Sequence, residues 1–313
     1  MKQNKTLRIL GYVAFAWFSL LVGLYLTFPA EAVAQRLSHE ITKASGGRYN
    51  ATFAQVSPDG FSGIEAENVK LLISSGGETL EILVDRVYAH LRLLPLLAFN
   101  LSFDVEIQLG EGSIEAVIDP DRGRLARLNV EIDTVDFSSP PILTKLAGLP
   151  LGGILNGDVA LDWSTDPKKA SGHIDLKLDK GSVGPAQIQG FSIPATQLGK
   201  MELRFELAGG KLQIVELAQA GGDISLRGQG SVLLRPPLSS STLDLCLEAK
   251  PQEEFLKNNP TFRTALDLAA QLQVRRDAEG FLHIPVRGNI DALGSRSIQR
   301  RLCNTKTRAS KQG

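Results

Sequence analysis

Cysteine is nearly absent. Cys246 and Cys303 are the only two in 313 residues, which excludes a disulfide framework. An exported compartment would permit one bond between them. Cys246 falls on an expected strand facing the same way as Asp244 and Glu248, a position that predicts exposure. Aromatic residues make up 6%, so the predicted core is aliphatic. Histidine is confined to His39, His90, His173 and His283, far apart and without HExxH or HxH spacing. Each reads as a partly exposed polar side chain. The Gly-x-Gly pairs at Gly110 and Gly228 lack a third glycine and a strand-to-helix setting. Gly209-Gly-Lys211 is followed by Leu212, which excludes a phosphate loop. No Gly-x-Ser-x-Gly elbow occurs. Asp119-Pro-Asp-Arg-Gly123 lacks the remaining ligands of a calcium loop and reads as a turn. Carboxylates such as Asp104, Glu106, Asp175 and Asp179 alternate along strands as a solvated face. The expectation is a chain that is not an enzyme, with no catalytic residue, no metal site and no cofactor.

Acid is missing from both ends. Residues 1–8 carry Lys2, Lys5 and Arg8, and residues 296–313 carry six basic side chains, with no Asp or Glu in either stretch. The zero net charge therefore conceals a body, 9–295, with 25 basic side chains against 34 acidic, a net of −9. Nucleic-acid affinity rests on cationic contacts to phosphate, so such a body excludes nucleic acid as a partner.

Charge is missing again from Ile9 to Phe28 (ILGYVAFAWFSLLVGLYLTF). As a helix rising 1.5 Å per residue, this stretch matches a bilayer core about 30 Å thick. Ile9, Phe15, Trp17, Leu20, Leu24 and Phe28 represent its apolar surface as a membrane anchor. Tyr12 and Tyr25 stand near its ends, where amphipathic rings favour the interface. The preceding cations put residues 1–8 in the cytoplasm and the bulk of the chain beyond an inner membrane, in the periplasm. A cleaved signal peptide is the rival reading, with Ala32-Val33-Ala34 as the cleavage spacing, although 20 residues exceed the usual apolar region of such a peptide. Either way the remainder is exported.

Residues 29–46 read as an amphipathic helix. Pro29 suits a first turn, Ala32, Leu37, Ile41 and Ala44 fall near a 3.6 spacing, and Gly46-Gly47 stops it. It would lie on the bilayer surface or cap one end of a sheet. From Tyr49 the period changes to two. Ser102–Leu109, Ile174–Asp179, Met201–Leu207 and Thr242–Glu248 each pair an aliphatic face with a charged one, the mark of antiparallel sheets with one dry side. Glycines at 112, 157, 172, 210, 222 and 230 each precede a polar residue and alternating apolar positions, as turn residues opening a strand. Three interruptions are expected to be short helices or turns: Leu91–Phe99 tucked on the sheet, Pro140–Leu149, and Pro251–Val274 broken near Pro260. Strand character returns over Gly280–Ile290. The predicted architecture is mainly β: a transmembrane helix over 9–28, then an extended, curved antiparallel sheet over 49–294, as a groove or a sandwich. A basic tail over 295–313 is expected to be disordered.

This order resembles the type II secretion system protein N family. The resemblance rests on Val56-Ser-Pro-Asp-Gly-Phe61 running into Ala66–Leu71, on Leu149–Leu161, on Gly222–Leu234 ahead of Leu243–Leu247, and on Gly280–Ile290. It implies a periplasmic accessory of a secretion machine, anchored in the inner membrane and contacting platform or secretin proteins, with no catalytic residues. Val87–Ile114 is similar to AsmA-like envelope proteins, which implies a lipid-binding or lipid-transfer body with lipid as the partner. On that reading Phe103, Val105, Ile107, Leu176, Leu203, Phe205 and Leu245 line an apolar groove. Acyl chains would bind there at ~0.8 kcal/mol per CH₂ removed from water. The competing reading lays the same face against a second sheet or against the three apolar interruptions.

Overall fold

The computed structural model describes residues 3–47, 49–75, 78–121, 124–138, 150–163, 169–188, 191–235, 240–272 and 276–289. It is mainly β, with a few helices, and divides into two compact units, 1–93 and 94–313.

The first unit opens with α1 (Gln3–Leu26) and α2 (Ala30–Ala44), followed by β1 (Tyr49–Asp59), β2 (Gly63–Ser75) and β3 (Glu78–Leu91). α1 takes in Lys5 and Arg8 ahead of the charge-free run that starts at Ile9, and ends at Leu26. Phe28, with Val33 and Ala34 of α2, packs against Val56, Ala66 and Val69 of the sheet. The same contacts settle how α2 is used, since its apolar side caps the sheet. It ends as expected, with Gly46 and Gly47 at φ 62° and 84°. β1 and β2 pair from Tyr49↔Ile73 to Asp59↔Gly63, and β2 and β3 from Gly63↔His90 to Ser75↔Glu78.

The second unit holds β4 (Phe103–Leu109), β5 (Gly112–Asp121), β6 (Arg124–Asp136), β7 (Leu151–Asp162), β8 (Ser171–Val183), β11 (Thr196–Ala208), β12 (Lys211–Ala220), β13 (Ile224–Leu233), β14 (Thr242–Pro251) and β15 (Leu282–Asn289). They are antiparallel in that order. A separate small ribbon pairs β9 (Ala186–Ile188) with β10 (Phe191–Ile193). The helices are α3 (Leu93–Leu97), α4 (Glu253–Asn258) and α5 (Pro260–Leu272). α4 and α5 break at Asn259, as Pro260 predicts. Leu91–Phe99 is not tucked on a sheet, because Leu94, Leu97 and Phe99 are 81%, 80% and 97% exposed. Pro140–Leu149 and the tail 295–313 lie outside the described residues.

Three glycines read as strand openers, Gly157, Gly172 and Gly230, sit inside strands. Gly172 (φ +152°) and Gly230 (φ +134°) hold backbone that L side chains rarely adopt. A Cβ there would meet the carbonyl oxygens of Ala160 and Asp244 on the neighbouring strands.

One seam differs from the rest. β12 and β13 pair only from Lys211↔Leu233 to Gln213↔Ser231 and then part. The side chain of Gln219 bridges the gap: its amide donates to the carbonyls of Leu198 (2.6 Å) and Ile224 (2.6 Å), and its oxygen accepts from the Leu226 N–H. A pocket of about 390 Å³ opens at the parting, lined by Gln219, Arg227, Gln252 and Phe281 among others.

Candidate functional site

Cross-strand partners share a sheet face, so the register shows which side chains lie together. One row runs through all ten strands: Phe103, Ile118, Leu128, Leu161, Gly172, Leu207, Leu212, Val232, Leu243 and Gly288, each opposite the next. Every member is apolar or glycine. With strands about 4.8 Å apart, nine steps make a band roughly 43 Å wide. A second row, two residues along, runs Val105, Ala116, Val130, Val159, Ile174, Phe205 and Ile214, and resumes with Leu245 and Val286. A third holds Ile107, Ile114, Ile132, Gly157, Leu176, Leu203 and Leu217.

All seven residues nominated from sequence therefore lie on one face, in three adjacent rows. Burial separates the rows. Much of the first is dry: Leu161, Leu207, Leu212, Val232 and Leu243 form a cluster with Ala170, with Trp163 and Leu234 among the partly buried side chains packed against it. The second and third are half-buried. Among the described residues, no other element packs broadly over those two rows. Val159, Ile174, Phe205 and Leu245 of the second row are partly buried against the same cluster. Sequence reasoning missed most of the members, including Ile114, Val130, Val159 and Ile174. Their alternation was visible strand by strand, but register is not.

The opposite face is charged. Arg204 lies between Asp175 (2.9 Å) and Glu216 (3.2 Å), His173 Nε2 is 2.9 Å from Asp158, Lys200 is 3.3 Å from Asp179, and Arg287 donates to Asp244 at 2.6 Å. The Arg204 guanidinium is held protonated above its ordinary value, first by its hydrogen bond to Asp175. These surface pairs orient side chains more than they stabilise.

Of the sequence expectations on this face, one holds and one fails. His283 is a partly exposed strand histidine, its side chain 12% exposed, with Nδ1 3.6 Å from Glu248 and Nε2 3.6 Å from Asp277. The carboxylates sit at opposite ring nitrogens and do not converge on one point. Burial raises the Asp277 carboxyl, but the Phe281 and Glu279 backbone amides, with His283, outweigh it and leave it below the usual carboxylate range. Cys246, expected to be exposed, is 8% exposed and disulfide-bonded. Cys303, the only other cysteine in the sequence, lies outside the described residues.

The nominated anchor residues behave differently from one another. Ile9, Phe15, Trp17 and Leu20 of α1 are 62%, 70%, 62% and 54% exposed, the side chain of Leu24 lies outside the described residues, and Phe28 packs against Val56, Ala66 and Val69. Among the described residues, no helix is long and apolar enough to cross a membrane. The side chains of Ala14, Leu21 and Leu24 lie outside that set, whereas the unbroken 9–28 run is a property of the sequence. No family model matches the chain, and neither a curated protein nor a solved structure matches it.

Proposed function

We propose that this chain is a membrane-anchored lipid-binding or lipid-transfer protein that holds acyl chains against the apolar face of its ten-stranded sheet. The observation that carries this is the pair of half-buried aliphatic rows, Val105 to Val286 and Ile107 to Leu217. A packed core needs no rows that stay half-wet across so many strands. An acyl chain laid along them would recover the burial that is missing, at ~0.8 kcal/mol per CH₂. The anchor is supported by α1: eleven large apolar side chains between Ile9 and Leu26 are exposed around it. A helix apolar on all sides belongs in lipid or in a larger core. The cations before it favour a cytoplasmic N-terminus and an exported, periplasmic body. No catalytic residue enters the proposal.

The test is lipid mass spectrometry on full-length protein purified from membranes, beside Leu203→Glu, which puts a charge in the third row. Annular lipid around α1 is common to both proteins. The proposal expects the wild type to carry near-stoichiometric extra lipid and the variant at least fivefold less, with matching circular dichroism. Equal lipid in both would sink it.

A second reading, an accessory of the type II secretion machine acting through protein contacts, follows from the family resemblance. It draws support from β15, whose outer edge takes only an isolated Arg276↔Leu282 bridge among the described residues, and an open edge accepts a partner's strand. Crosslinking from β15 in intact cells would favour it by capturing a secretion platform or secretin protein.

A further inference from the structure

On the polar face, Glu106, Glu115, Glu131, Asp158 and Asp175 stand directly opposite one another on five consecutive strands. Like charges so placed repel. Asp175 is paired with Arg204 and Asp158 with His173, and Glu106 accepts from Gln108 at 3.0 Å. Among the described residues, Glu115 and Glu131 have no cation at all. The row continues through Arg204 and Glu216 on β11 and β12. Cys246, on β14, projects from this same face, because its neighbours Leu245 and Leu247 occupy apolar-face positions opposite Val286 and Ile284. Its disulfide can be completed within the chain only by Cys303, which lies amid Arg296, Arg300, Arg301, Lys306, Arg308 and Lys311, a stretch without one acid.

We infer that the basic tail docks on the polar face of the sheet, fastened at β14 through Cys246, with its cations along the Asp175–Asp158–Glu131 row. The occupant is chosen by three features together: complementary charge, a covalent fastening on that face, and reach. From β14 to β8 is four strand spacings, about 19 Å, and to β6 about 29 Å. The eight residue steps from Cys303 to Lys311 extend to roughly 27 Å, and a lysine side chain covers the remainder. The surplus of acid in the body and of base in the tail is thereby matched within one molecule.

The experiment uses the full-length chain with its disulfide reduced, so that protection reports docking and not the bond. Tryptic cleavage at Lys306 and Arg308 is followed by mass spectrometry in low and high salt, and carbodiimide crosslinks are mapped in the monomer band. Docking predicts cleavage at least tenfold slower in low salt than in high salt. It also predicts salt-sensitive crosslinks from Lys306 or Lys311 to Asp158 or Glu131, and loss of protection in Glu131→Lys, an exposed position whose change spares the core. Salt-independent cleavage, or crosslinks to other carboxylates only, would overturn it. So would protection that arises only with phosphatidylglycerol vesicles, which would give the tail a membrane partner. Because lipid loading is not measured, this outcome is independent of the lipid proposal.

Discussion

Ser102 is 2% exposed, and its hydroxyl finds no hydrogen-bond partner among the described residues. Such a group carries its desolvation penalty uncompensated, on the order of 1–3 kcal/mol. Ser102→Ala is therefore expected to stabilise the protein by about 1 kcal/mol, read as a higher urea midpoint with an unchanged slope. At Asp277 the sign runs with pH. A carboxyl held below its ordinary range contributes stability above the unfolded value, near 3.9, and loses it as the pH falls through the folded one. Asp277→Asn should thus be less stable than the wild type at pH 6, with the gap closing as the pH drops below 3. A gap that persisted in strong acid would assign the effect to packing instead. Neither residue announces itself in the sequence, since what singles them out is the company each keeps after folding.

At the level of the element, β11 shows what can be read early and what cannot. Met-Glu-Leu-Arg-Phe-Glu-Leu alternates so strictly that a two-faced strand over Met201–Leu207 follows from the residues alone, and it forms within Thr196–Ala208. What alternation leaves open is how dry each apolar position becomes. Leu203 and Phe205 are half-buried, whereas Leu207, two residues on, is 3% exposed in the cluster with Leu161 and Leu212. Leu207→Ala is expected to cost 2–5 kcal/mol, the usual range for truncating a buried leucine, as a fall in the denaturation midpoint. Leu233→Ala on β13, where the side chain is 40% exposed, should change it far less. The same limit explains the misread glycines. A glycine before a polar residue looks alike whether it opens a strand, as at Gly112, or lies inside one, as at Gly230, where a neighbouring carbonyl leaves no room for a Cβ.

For the whole molecule, the sequence conveyed the division between a greasy amino-terminal helix and a one-sided β body. Alternation conveyed the aliphatic face of single strands such as Met201–Leu207, but not the register that joins Ile114, Val130 and Ile174 into rows. The second unit's apolar band is about nine strand spacings wide, more than one acyl chain needs, so the lipid proposal concerns a surface and not a fitted cavity. Part of the excess acid of the body, which a zero net charge hides, resolves into the row from Glu106 to Asp175 on the polar face once register is known.

The parting of β12 from β13 carries a mechanical consequence. Every other registered junction in the ten-strand array has at least seven residue pairs, but this one has three before a lone glutamine amide takes over. Under tension applied through the two ends of the array, rupture should start at this weakest stitch, peeling β13, β14 and β15 away together while the remaining strands hold.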